Sequence, residues 1–170
     1  MINFYSNRWE SRGKPNFIEA LEALGNDFAR PSRFLLSVVV PCFNEQDVVL
    51  LTYRKLVDVL GNRGFGLQIV FVDDGSHDGT SDIVIDLAKD DPRVKTVLFS
   101  RNFGHQAAVS AGLANADGDA VVVIDADLQD PPEIVVQMIQ KWLDGADVVY
   151  GIRTNRKERL LKRIGYKTLL

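Results

Sequence analysis

The chain has 170 residues, of which 46% are hydrophobic and 25% are charged, and its formal net charge is −3. This size and composition predict one soluble globular domain with a core large enough to be stable. The acidic balance argues against a nucleic-acid-binding protein that neutralises phosphates over a broad basic face.

One cysteine, Cys42, excludes an internal disulfide and is typical of a reducing compartment. No apolar run reaches the length that spans a bilayer, and the first residues lack the unbroken apolar segment of a secretory signal. The sequence therefore predicts a cytoplasmic protein.

Residues 1–34 are predicted to form an N-terminal extension with one amphipathic helix. Within it, Phe17, Leu21, Leu24 and Phe28 fall on one helical face. This face would dock on the domain's own core, form a dimer contact, or lie on a membrane surface. The sequence leaves these alternatives open, and a homo-oligomer is one of them.

From Leu35 onward, short apolar runs alternate with polar turns and helical stretches. The runs are rich in β-branched residues, as expected for strands buried on both faces of a parallel sheet. This alternation predicts an α/β fold with a doubly wound, mostly parallel sheet flanked by helices. The predicted strands are Leu35–Val40, Leu67–Val72, Val94–Ser100, Ala120–Ile124 and Asp147–Ile152, and the clearest predicted helix is Glu133–Leu143.

Ligands of such sheets bind at the carboxyl ends of the strands, so the polar residues there are the functional candidates. Glu45 follows the first predicted strand, where a ligand would lie. Asp73 and Asp74 end the second, and one of them is a candidate to accept hydrogen bonds from a base or ribose. Arg101 and His105 flank a turn before a helix, which is a candidate phosphate site.

Three aspartates follow the fourth predicted strand. Asp130 precedes two prolines and Glu133, a pattern that predicts a helix N-cap. Asp125 and Asp127 are alternate residues of an extended segment, so both carboxylates can face one bound ion. Oxygen ligands select a cation such as Mg²⁺ or Mn²⁺, and Gln129 could supply another oxygen.

The segment from Arg153 to Lys167 is strongly basic. Such a run is usually a solvated helix face. Beside a predicted metal–diphosphate site, it is at least as well explained by an anionic partner. That partner would be an acceptor phosphate, an anionic membrane, or both.

Five segments of the chain resemble family 2 glycosyltransferases in order and spacing. They are SVVVPCFNEQ, VFVDDGSHDGT, SRNFGHQAAVSAGL, DGDAVVVIDADLQDPPE and DVVYGIRTNR. The resemblance covers roughly Leu35 to Leu170 and implies the GT-A fold, a Rossmann-like α/β domain that binds a nucleotide-sugar. DLQDPPE and YGIR are most similar to the branch that includes dolichyl-phosphate mannose synthases and bactoprenol glucosyltransferases.

The resemblance also implies roles for individual residues. The residues that would contact the donor nucleotide, with Asp73 on the base and His105 near the diphosphate, are Pro41, Phe43, Glu45, Asp73, His105 and Asp125. The residues that match the metal and diphosphate motif are Asp125 and Asp127, which are the catalytic acids, and Gln129. The residues that match a basic grip on a lipid phosphate are Arg153, Arg156 and Lys162.

The implied reaction is inverting transfer of a sugar from a UDP- or GDP-sugar to a polyprenyl or dolichyl phosphate. It would use Mg²⁺ or Mn²⁺ and take place at the cytoplasmic face of a membrane. Two alternatives stay open: a family 2 transferase that acts on a saccharide hydroxyl in cell-envelope polysaccharide synthesis, and a truncated, inactive nucleotide-binding module. Because relatives continue into further helices, the catalytic domain at 35–170 is expected to be truncated at its C-terminal side.

Overall fold

The computed structural model describes residues 3–6 and 33–151. In this part of the chain, strands and helices alternate from Leu35 onward. The elements in chain order are β1 (Asn3–Ser6), β2 (Leu35–Cys42), α1 (Val49–Leu60), β3 (Gly66–Asp73), α2 (Thr80–Asp90), β4 (Val94–Leu98), α3 (His105–Ala114), β5 (Ala120–Val123), α4 (Glu133–Leu143) and β6 (Val148–Tyr150).

The strands form a single sheet in the order β4-β3-β2-β5-β1-β6. β2 pairs in parallel with β3 and with β5, and β3 pairs in parallel with β4. β1 runs antiparallel to both of its neighbours, β5 and β6. The chain winds outward from β2 to β4 and then returns to the other side of β2 with β5. The predicted doubly wound, mostly parallel sheet is therefore confirmed, and its switch point lies between β2 and β5.

All five predicted strands are present, with ends that differ from the prediction by one or two residues. β1 was not predicted. Its register pairs Asn3 with Val123 of β5 and with Tyr150 of β6. A four-residue strand whose partners lie so far along the chain leaves no periodic pattern in its own sequence.

Side chains of successive residues in β2 pack into two hydrophobic cores, one on each face of the sheet. Leu36, Val38 and Val40 pack with the apolar faces of α1, α2 and α4 on one side of the sheet. Val39 packs with α3 on the other side. Strands buried on both faces explain why the apolar runs of the sequence show no alternation.

Helix α4 has the predicted bounds, Glu133–Leu143. Four of its apolar residues are buried: Val135, Met138, Ile139 and Trp142. Within residues 33–151, no helix combines the length and the apolar character that crossing a membrane requires.

Two predictions lie outside the described residues. One is the amphipathic face of the N-terminal extension, formed by Phe17, Leu21, Leu24 and Phe28. The other is the phosphate-binding basic set, formed by Arg153, Arg156 and Lys162.

Candidate functional site

A cleft of about 480 Å³ opens at the carboxyl ends of β2, β4 and β5, beside the switch point of the sheet. Predicted site residues from three separate loops line it: Pro41, Phe43, Glu45, His105, Asp125 and Asp127. Asp74, the alternative to Asp73, lines it as well. The lining residues that were not predicted are Cys42, Asn102, Gly104, Ala108 and Ala126.

The loops after β2 and β3 are joined by hydrogen bonds between side chains and backbone. The Asn44 N–H donates to Ser76 Oγ (2.8 Å), and the His77 N–H donates to Asn44 Oδ1 (2.9 Å). The Gly79 N–H donates to Gln46 Oε1 (2.9 Å). Asn44 adopts a positive φ of 56°, which asparagine tolerates better than most residues. The two loops therefore form one wall of the cleft.

Asp73 stabilises this wall through hydrogen bonds from the β3 loop and the start of α2. It is 1% exposed, and its carboxylate accepts hydrogen bonds from the N–H and hydroxyl of Ser76 and from the hydroxyl of Ser81. It does not line the cleft. These donors engage both carboxylate oxygens, and the contact of Asp73 with the base stays a prediction.

Asp74 connects the β3 loop to the loop after β4. It is 3% exposed and accepts hydrogen bonds from the N–H groups of Phe103 (2.7 Å) and Gly104 (2.9 Å). This anchor sets the start of α3, where His105 lines the cleft. The Arg101 guanidinium lies 4.1 Å from the centre of the Phe103 ring and is not among the lining residues.

The turn after β5 carries the predicted cation ligands. Asp125 is half-buried and Asp127 is exposed, and the Gln129 N–H donates to an Asp127 carboxylate oxygen at 3.0 Å. Leu128 has a φ of 55°, a left-handed conformation that costs a leucine roughly 1 kcal/mol or more. The exposed Gln129 side chain does not line the cleft, although its backbone shapes the turn.

The prediction that Asp130 caps a helix is wrong. Helix α4 begins at Glu133, and its N-cap residue is Pro132 rather than Asp130. The reason lies in the prolines. Pro132 has no N–H, which removes one of the donors that a capping carboxylate at Asp130 would take.

Glu45 shows the electrostatic character of the cleft. Partial burial and the negative charges of Asp127, Asp78 and Asp125 raise the pKa of its carboxyl group. The acids of two different loops therefore repel one another across the cleft. A cation bound between these loops would relieve that repulsion.

Cys42 also lines the cleft but has the properties of a core residue. It is 4% exposed, and its thiol donates a weak hydrogen bond to the Val72 carbonyl oxygen at 3.5 Å. Burial, followed by the charges of nearby acids, raises the pKa of the thiol well above its usual range. A thiol in this state is a poor nucleophile, so Cys42 behaves as a small buried residue of the core.

The turn of residues 125–129, called the acidic turn below, has ligands suited to one part of a metal site. Within residues 33–151, no three acidic, histidine or cysteine side chains come close enough together to complete one. Asp125 and Asp127 offer hard oxygen donors beside an open cleft of repelling carboxylates. Such a donor set suits Mg²⁺ or Mn²⁺ with its remaining positions filled by water and by the phosphates of a ligand.

Comparison with known proteins identifies the family. The family model "Glycosyl transferase family 2" matches residues 37–167. An uncharacterized glycosyltransferase of Bacillus subtilis, YkcC, is 50% identical over 121 residues, which are 71% of this chain and 38% of that protein. A prophage bactoprenol glucosyl transferase homolog of Escherichia coli is 43% identical, over 71% of this chain and 40% of that protein.

A more distant relative is the undecaprenyl-phosphate 4-deoxy-4-formamido-L-arabinose transferase of Salmonella paratyphi B. It is 33% identical over 135 residues, which are 79% of this chain and 41% of that protein. The chain thus spans about two fifths of the length of the curated relatives it matches.

Solved structures confirm the expected GT-A fold. The mannosyltransferase PcManGT from Pyrobaculum calidifontis, in complex with GDP-Man and Mn²⁺, has a TM-score of 0.56 and 28% identity, over 73% of this chain and 37% of that one. Glucosyl-3-phosphoglycerate synthase from Mycobacterium tuberculosis has a TM-score of 0.53 and 24% identity, over 66% of this chain and 40% of that one.

Proposed function

The chain belongs to glycosyl transferase family 2, and on that premise we propose that it binds a nucleoside diphosphate sugar and transfers the sugar to a polyprenyl phosphate. The observation that carries the proposal is the cleft at the switch point, where acids of two loops face one another beside an exposed aromatic ring. Relatives that are named bactoprenol glucosyl transferase and undecaprenyl-phosphate sugar transferase support the choice of acceptor.

We infer that the donor nucleotide lies along the wall formed by the loops after β2 and β3. Phe43 is 39% exposed at the cleft, where its ring makes an edge contact with His77 and would also pack against a base. Pro41 and Glu45 line the same side. Asp73 is bonded to Ser76 and Ser81 and does not line the cleft, whereas Asp74 does.

The donor diphosphate would lie between the acidic turn and the start of α3. Asp125 and Asp127 would hold Mg²⁺ or Mn²⁺, and His105 would face the phosphates. A bound cation there supplies electrostatic stabilisation of the charge that develops on the leaving diphosphate. Gln129 helps by donating its N–H to Asp127, which fixes the orientation of that carboxylate.

The acceptor phosphate would approach the anomeric carbon from the side opposite the diphosphate. One of its oxygens forms the new bond while the bond from the anomeric carbon to the diphosphate oxygen breaks, and the diphosphate leaves with the electron pair. The configuration at the anomeric carbon is thereby inverted. A phosphate is already an anion at neutral pH, so the reaction needs no strong general base. Arg153, Arg156 and Lys162 are the proposed phosphate ligands.

The test begins with nucleotide binding. The chain is titrated with UDP, GDP and their sugar conjugates, with and without MnCl₂, by calorimetry. We expect Mn²⁺ to strengthen binding of one nucleotide class, and Asp127→Asn to remove that gain, about tenfold or more in affinity. Asp86→Asn, an exposed acid of α2 that pairs with Lys89, is the matched control and should bind like the wild type.

A second assay separates the acceptors. With the donor so identified, a prenyl phosphate and a set of saccharides are compared as substrates. Glycosylation of the saccharides alone would overturn the lipid-phosphate proposal in favour of a hydroxyl acceptor. Nucleotide and metal binding without any turnover would instead indicate a binding module.

A further inference from the structure

A residue outside the cleft contacts the acidic turn directly. Thr52, in the first turn of α1, is fully buried (0% exposed), and its hydroxyl donates a hydrogen bond of 2.6 Å to the carbonyl oxygen of Ala126. Ala126 stands between Asp125 and Asp127 and is itself only 3% exposed. The peptide group between Ala126 and Asp127 is therefore hydrogen-bonded to helix α1.

The geometry shows which acceptor takes the hydroxyl hydrogen. A threonine inside a helix usually bonds to the carbonyl four residues earlier, and Thr52 Oγ1 does lie 3.1 Å from the Val48 carbonyl oxygen. A hydroxyl has only one hydrogen to donate. The contact with Ala126 is shorter by 0.5 Å, so the hydrogen is directed at the turn rather than at the helix.

The turn itself needs an external support. Leu128 is held in a left-handed conformation, and such backbone persists only where its surroundings enforce it. A second link between α1 and this segment is the Lys55–Glu133 ion pair at 3.4 Å, whose side chains are 46% and 53% exposed. An exposed pair of this kind holds a backbone weakly. The contact made by Thr52, in contrast, is buried.

We propose that Thr52 is a positioning residue for the metal–diphosphate site. Its hydroxyl orients the Ala126 carbonyl and thereby keeps Asp125 and Asp127 aimed into the cleft before a ligand arrives. Thr52 touches neither nucleotide nor cation. The inference rests on the proposed function, because it assigns a support to the ligands proposed there. Supports of this kind are worth roughly 10–100-fold in metal affinity when they are removed.

The test compares variants that differ at one group. Thr52→Val keeps the shape of the side chain and removes the donor, whereas Thr52→Ser keeps the donor. Ser110→Ala is the control, because the Ser110 hydroxyl bonds only to the Gln106 carbonyl of its own helix and is exposed. Mn²⁺ affinity is measured for each folded chain in the presence of saturating UDP or GDP, whichever the wild type binds.

We expect T52V to weaken Mn²⁺ binding about tenfold or more, while T52S and S110A bind Mn²⁺ like the wild type. Binding of the nucleotide without metal should be unchanged in all three. In the metal-free chain, hydrogen exchange should accelerate in T52V for the amides of residues 126–129 and not for those of α2 or β4. That local change would separate positioning from a general loss of stability.

A folded T52V that binds Mn²⁺ as tightly as the wild type would overturn the inference. Thr52→Ala repeats the test if T52V does not fold. Failure of both hydroxyl-free variants to fold while T52S folds would assign Thr52 to stability alone, which also overturns it. Failure of the wild type to bind Mn²⁺ with either nucleotide would instead contradict the proposed function, so the two results can be told apart.

Discussion

Acidic side chains lie at both ends of the parallel strands, and their surroundings differ. At the amino ends, Asp91 accepts hydrogen bonds from Arg93 and from the Tyr53 hydroxyl (2.7 Å), and the Arg93 guanidinium lowers the pKa of Asp91 to about 2. Asp117 accepts from Gln68 Nε2 (2.6 Å), a bond that, with the Lys95 charge, lowers the pKa of its carboxyl group. These acids are stabilised by the fold.

At the carboxyl ends Glu45 shows the reverse effect, whereas the desolvation of Asp78 is outweighed by hydrogen bonds from Thr80 and Gln46, which lower the pKa of its carboxyl group. The pKa of Glu45 is raised, because the group is partly buried and faces Asp127, Asp78 and Asp125. An acid at this edge that forms hydrogen bonds within the protein holds a loop in place: Asp74 accepts from the N–H groups of Phe103 and Gly104. The amino ends therefore hold their acids in internal contacts, whereas the carboxyl ends leave Glu45, Asp125 and Asp127 lining the cleft.

Gly118→Ala should give the largest loss of stability, because it disrupts packing at the amino ends of the strands. A Cβ at Gly118 would lie 2.6 Å from the Ser37 backbone nitrogen and 2.8 Å from the Ala120 carbonyl oxygen, which cannot easily move. We expect a loss of about 3 kcal/mol in the free energy of unfolding, measured by urea denaturation. At the carboxyl end, Gly79→Ala meets only the end of the Gln46 side chain at 3.2 Å, so it should cost less than about 1 kcal/mol. Equal losses would contradict the comparison.

Asp91→Asn should have an intermediate effect that depends on pH. Its folded pKa of about 2 lies below the unfolded value of about 3.9, so its contribution is present above pH 4 and is lost as the pH falls towards 2. We expect the variant to lose about 2 kcal/mol at pH 7. Urea denaturation at pH 7, 4 and 2.5 measures this, and a difference from the wild type that does not shrink with falling pH would refute it.

Glu45→Gln should give the smallest change, and it should have the opposite sign. A raised carboxyl pKa means that the charged form opposes folding, so its cost appears as the pH rises through the folded pKa and is absent below about pH 4. Without metal, the variant should gain less than about 1 kcal/mol at pH 7. Denaturation at pH 7 and pH 4 measures the gain, and a loss of stability at pH 7 would show that Glu45 is held by favourable contacts instead.

Much of the cleft was predictable because its residues follow buried strands. Apolar runs of β-branched residues mark the strands, and parallel strands bring their carboxyl ends to one edge. Glu45, His105, Asp125 and Asp127 could therefore be placed together without coordinates. Asp130 matches a capping pattern but is not the N-cap of α4, because Pro132 lacks an N–H that a capping carboxylate would take.

The amino-acid sequence by itself determined the doubly wound topology, the family and the acids of the cleft, because these depend on local periodicity and on short contiguous motifs. Only the tertiary structure decided which side chains hold those acids in place. Thr52 meets Ala126 across 74 residues, and Asp74 meets Gly104 across 30. Neither contact leaves a local pattern, because a hydrogen bond between distant segments depends on how the helices and strands pack, and that packing is set by the whole core.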